Sequence, residues 1–237
     1  MNFLARHAVP VVACAALLAA CGGGGGGAPP FIATGPVVTG GVDIHAAWRD
    51  YLGVAHTWTM RGQTSDARAF ELSVIMKPGA NRSFALTGAS GPTIDQSIRF
   101  TIAGANTVSS DGTLFFNGAS MIGVSTTNGA CFGLRGAMPN LPGASAIGSS
   151  GAMFVLEGNA GCSSSGQKLG TTTYNWSIET DGALTMFCVA TRQENASTAF
   201  IGADAYCFEA SPGGTLGTKA KFTITRPDGT TTTGRNF

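Results

Sequence analysis

Charge is what this chain of 237 residues has least of: Lys and Arg number 14, Asp and Glu 13, together 11% of the sequence. A typical soluble domain carries about 25%. The signs balance and no Lys/Arg cluster occurs, which argues against nucleic acid as a partner and against electrostatic docking on anionic lipid. Histidine is scarce too, at 3 residues. No stretch approaches the ~18 consecutive apolar residues of a membrane-spanning helix. No Gly-x-Gly-x-x-Gly or P-loop follows a strand-like run, so nucleotide binding has no support. Ser, Thr, Asn and 35 glycines stand where charge would normally be, and the apolar fraction is 43%. That apolar content is regularly patterned, which is the profile of strands and turns and not of disorder.

The first 27 residues, MNFLARHAVPVVACAALLAACGGGGGG, carry a different signal. Arg6 and His7 give a weakly basic start, Ala8–Ala20 is apolar, and small residues precede Cys21. A charged region, an apolar region and a small-residue cleavage site define a secretory signal. Leu18-Ala19-Ala20-Cys21 resembles the lipobox of bacterial lipoproteins. The resemblance implies cleavage before Cys21, a diacylglyceryl group on its sulfur, and an acyl group on the new amino terminus. Gly22, standing where an Asp would favour inner-membrane retention, implies the outer membrane. One acyl chain binds a bilayer only marginally, with K about 10⁴ M⁻¹, whereas several hold stably. The expected organisation is a signal at 1–20, a lipidated Gly/Pro-rich tether at 21–41, and a single β-domain at 42–237. A flexible tether of ~20 residues has an r.m.s. span of roughly 25 Å.

Cys14 falls in the signal and Cys21 at the lipid site, leaving Cys131, Cys162, Cys188 and Cys207. An even set in an exported chain reads as two disulfides. No two of them stand two to four residues apart, as zinc ligand pairs usually do. If Leu184–Thr191 and Ala203–Glu209 form a hairpin, Cys188 and Cys207 face each other and bond, leaving Cys131 for Cys162.

The pattern predicts one short helix and then strands. Asp43–Leu52 has a capping Asp43, a shared apolar face of Ile44, Ala47, Trp48, Tyr51 and Leu52, and Gly53 to end it. From His56 onward the period is two: Trp58 and Met60 alternate with threonines, and Phe70, Leu72 and Val74 with Glu71 and Ser73. Ile98–Ile102, Tyr174–Ile178 and Ala220–Ile224 repeat it, as antiparallel strands solvated on one side do. Asp111-Gly112, Asp181-Gly182 and Asp228-Gly229 read as hairpin turns. The fold class is all-β: an antiparallel up-and-down barrel or two-sheet sandwich of about ten to twelve strands, with one N-terminal helix. Residues 138–151 and 161–170 are the longest predicted loops. The layout of 171–226, with Tyr174-Asn-Trp-Ser-Ile-Glu179, Met186-Phe-Cys188, Ala205-Tyr-Cys207 and Lys221–Ile224, resembles poly-Gly-tethered lipoproteins of Gram-negative bacteria. That resemblance implies a β-rich fold and no particular activity.

Catalytic machinery is hard to assemble. His45 and His56 with Asp43 could in principle hold a metal, but they read as a helix-surface and a strand-end histidine. Gly118-Ala-Ser120-Met-Ile-Gly123 and Gly148-Ser-Ser-Gly151 miss the Gly-x-Ser-x-Gly spacing. Glu179 and Asp181 read as strand-face and turn acids and not as a glycosidase pair. With no convergent acid, base and nucleophile, the chain reads as a non-enzymatic envelope module, without cofactor, that binds an unknown protein partner. A carrier holding a small apolar ligand among Trp58, Phe100, Phe154, Tyr174, Trp176 and Phe222 is the alternative, and an envelope hydrolase the third reading. A cavity of ~300 Å³ or more would favour the carrier, and an exposed apolar patch the protein-binding module.

Overall fold

The computed structural model describes residues 41–64 and 66–237; the lipobox, Cys21 and most of the tether lie outside the described residues. The described chain runs β1 Val42–Asp43, α1 Ile44–Gly53, β2 His56–Gln63, β3 Ala69–Ser83, β4 Ser90–Ile102, β5 Val108–Asn117, β6 Ser120–Thr126 and β7 Cys131–Leu134. It continues through β8 Ala144–Ser145, β9 Ser150–Asn159, β10 Lys168–Asp181, β11 Leu184–Asn195, β12 Phe200–Ala210, β13 Leu216–Thr225 and β14 Thr231–Arg235. Twelve of these strands, β2–β7 and β9–β14, form one closed barrel in sequence order, every neighbour antiparallel. The barrel, not the sandwich, is the fold.

Closure is made by β14 against β2, through the pairs Gly234↔Gly62 and Arg235↔Arg61. Both glycines are sterically required. A Cβ on Gly62 would lie 2.6 Å from the Phe70 ring, and one on Gly234 would lie 2.6 Å from the Phe222 ring. The two rings, 5.5 Å apart, fill the space the glycines leave. Aromatic cover of paired glycines is a known device for curving a sheet into a barrel.

α1 closes one end. Asp43 caps it by accepting the Ala46 N–H at 2.8 Å, and the expected face of Ile44, Ala47, Trp48, Tyr51 and Leu52 is buried. Gly53 is the last helical residue and not a left-handed stop; the cap is extended Val54, whose N–H donates to the Asp50 carbonyl. Trp48 Nε1 donates to the Ala119 carbonyl at 2.9 Å, and the Asp50 carboxylate accepts the Leu216 N–H at 3.1 Å. The predicted 138–151 loop is held rather than free: β8 pairs with β1, and His45 N–H donates to the Pro142 carbonyl. A barrel of this strand number encloses more space than its wall side chains fill readily. The helix supplies the missing volume. Each fully buried large side chain contributes about 1.5–3 kcal/mol.

Two of the three Asp-Gly pairs turn the chain. Asp181 pairs with Leu184 around Gly182, which has φ +61°, and Gly229 has φ +81° between β13 and β14. Asp111-Gly112 does not: both residues lie inside β5, opposite Ser97 and Gln96. Pairing with β4 on one side and β6 on the other overrides the local turn preference, and the bends fall at Gly104 and Gly118.

Candidate functional site

Both disulfides join the expected partners. Cys188 and Cys207 are register partners on β11 and β12, with Cα atoms 3.9 Å apart. Cys131 at the start of β7 holds Cys162 in the loop after β9, Cα to Cα 4.9 Å. Their side of the wall was not expected. Phe187, Val189, Tyr206 and Phe208 belong to the interior core, so Cys188 and Cys207 point outward, where they pack with Met186 and Leu184 as a separate cluster. The Glu179 carboxylate stands near both sulfurs, and Lys221 bridges Glu179 at 3.6 Å and Asp181 at 3.2 Å. With both thiols oxidised, this group is not a metal site. Cys131 belongs to a second outer cluster with Phe84 and Phe115. Phe84 lies flat on the wall because Gly123 has no Cβ there: one would sit 2.4 Å from the ring.

The other sequence candidates do not converge. His45 is exposed on α1. His56 is stacked on Trp58, ring centroids 4.6 Å apart, and its Nε2 is 3.3 Å from the Asp50 carboxylate. Ser120 opens β6 at a tight turn, and Glu179 and Asp181 are held in ion pairs.

Inside the barrel, Trp58, Phe100, Phe154, Tyr174, Trp176 and Phe222 are all buried in the core, as alternation predicted. They do not line a ligand chamber. The void among Trp48, Tyr51, Gln96, Tyr174, Thr191 and Tyr206 measures about 20 Å³, little more than the ~10–15 Å³ one water requires. Nor is there an apolar patch outside, since the exposed large apolar side chains among the described residues are Val54 and Phe237.

Sequence reasoning passed over one buried group, Asp204. It is 3% exposed, faces Thr191 across the β11–β12 pair, and accepts from Thr191 Oγ1 at 3.3 Å and Gln193 Nε2 at 3.2 Å. Its Oδ1 has no partner. Burial pushes its carboxyl well above the usual range, with the two hydrogen bonds pulling back. Burial also raises the phenols of Tyr51 and Tyr174, the latter helped by its neighbours Tyr51 and Asp204. The signal was available: in GADAYCF, Asp204 is in phase with Tyr206 and Phe208. An acid shifted in this way holds its proton more tightly, but the void beside it is about 20 Å³, too small for a substrate. No family model matches this chain, and no match was found among the curated proteins or the solved structures.

Proposed function

We propose that this chain is a lipid-anchored envelope protein whose barrel is a non-catalytic binding module that works through its outside. The observation that carries the reading is the filled interior. A void of about 20 Å³ cannot take an apolar ligand, which sets the carrier reading behind. The outer wall presents Thr57, Thr59, Arg61, Glu71 and Ser73 while their neighbours pack inward, the reverse of a barrel whose outer band meets lipid. Gly41 enters at the α1 end, where Asp43 N–H donates to the Pro212 carbonyl. A tether leading from Cys21 to that end would leave the opposite rim, with the turns at 103–107, 127–130, 160–167, 196–199 and 226–230, facing away from the membrane. Rim turns on a stiff scaffold are well placed for recognition.

The test pairs Cys21→Ala with cross-linking in intact envelopes. The variant should lose palmitate label and leave the detergent fraction, and the wild-type protein should capture a partner through rim positions. Retention of the variant in the outer membrane at wild-type level would refute the anchor. Equal cross-linking from interior and rim positions would refute the module.

A further inference from the structure

The wall of β3, β4 and β5 carries a groove that no role above absorbs. Its volume is about 420 Å³, within the ~300–1,000 Å³ range of small-molecule sites. Strand register explains why it exists. On the outer face three rows cross the strands: Ser73, Arg99 and Ser109; then Ile75, Ser97 and Asp111; then Lys77, Asp95 and Thr113. The smallest of the middle row, Ser97, lies at the centre of this grid, ringed by longer side chains. Gly112, paired with the inward-facing Gln96, contributes only backbone to the lining. A glycine inside a strand often marks close approach by a ligand or another backbone. The Asp-Gly pair that failed to make a turn is the edge of this depression.

One of the charges around it is already paired and three are not. Asp95 is neutralised by Arg82, two hydrogen bonds at 3.0 and 2.8 Å, and by the Thr113 hydroxyl at 2.8 Å. Arg99, Lys77 and Asp111 make no ion pair among the described residues, and Ser97 Oγ is enclosed without a hydrogen-bond partner. An unpaired guanidinium is the natural partner of a carboxylate, which it grips with two parallel bonds. Asp111 stands one row from Arg99 on the next strand, a diagonal of about 7–8 Å between backbones. A cation and an anion side by side offer a partner to each end of a ligand that carries a carboxylate and an ammonium.

We infer that this groove binds a zwitterion, an amino acid or short unblocked peptide, with its carboxylate on Arg99 and its ammonium on Asp111. The inference deepens the binding-module reading and rests on it only for the role of the outer surface.

The experiment is a titration of the purified full-length protein in detergent with triglycine, followed by amide chemical shifts. Shifts should centre on Ser97, Gly112 and Thr127. Arg99→Gln and Asp111→Asn should each weaken binding about tenfold or more. Both positions are on the outer face, and unchanged thermal unfolding would verify that each variant folds. With the wild-type protein alone, triglycine blocked at both ends should not bind. The proposal is overturned by no shifts at those amides, by equal binding of blocked and free peptide, or by equal binding of peptide blocked only at its amine, which marks a plain anion site. Shifts that depend on protein concentration instead of peptide would assign the groove to a second copy and overturn it also. If triglycine fails while rim cross-links persist, the groove is wrong and the module reading stands.

Discussion

The inside and the outside of this barrel are held together by different means. Inside, one continuous core runs from Trp48 on the helix to Phe70, Phe100 and Phe222 near the closure seam. Outside, two small islands, Phe84–Phe115–Cys131 and Met186–Cys188–Cys207, cling to the wall, and each contains a disulfide. The difference is one of solvent. An interior side chain loses its water on every side, so packing alone holds it. An island on the wall has water along its rim and gains security from a covalent link.

The largest effect should come from breaking the inside. Trp58 is buried, its ring lies tilted against Phe208 with centroids 4.1 Å apart, and it donates Nε1 to the Gly217 carbonyl at 3.0 Å. Trp58→Ala should cost about 3–5 kcal/mol in denaturant unfolding, and a loss under about 1 kcal/mol would mean the core collapses around the hole.

Next come the outer links. With separations of 31 and 19 residues, loop entropy assigns Cys131–Cys162 about 4 kcal/mol and Cys188–Cys207 about 3 kcal/mol. Double Cys→Ala variants of each pair, compared by unfolding under oxidising conditions, should reproduce that order. The reverse order would show that the 188–207 island relies on its bond more than loop length implies.

The smallest effect near pH 4, growing as pH rises, should come from Asp204→Asn. An acid whose folded pKa exceeds its unfolded value of ~3.9 binds its proton more tightly when native. The contribution of Asp204 to stability is therefore greatest below that pH and falls as pH rises towards and through the folded value. The amide keeps an acceptor for Thr191 and Gln193 and cannot ionise, so the variant should lack that decline. Parallel pH profiles for the two proteins would show that Asp204 does not titrate as its burial requires.

Local chemistry made much of this molecule legible. Asp43 as a cap, the face of α1, the inward Trp58, Phe100, Tyr174 and Phe222, and the Cys188–Cys207 register all follow from side-chain period or spacing. The candidate site was far less legible. Asp204 is in phase with buried aromatics, yet only its enclosure by Thr191 and Gln193 shows what that phase means. Asp111-Gly112 has the composition of a turn, and only pairing on both flanks makes it a strand and part of a groove.

The sequence by itself determined the helix, most of the strands and the Cys188–Cys207 pair, because alternation, capping and hairpin register act over a few residues. Tertiary structure alone decided that the sheet closes, through Gly62 and Gly234, and that the cysteines face outward. It also decided that Phe84 folds onto the wall and that Ser97, Arg99 and Asp111 share one hollow. These outcomes depend on strands distant in sequence, and on the accumulated twist that brings the last against the first.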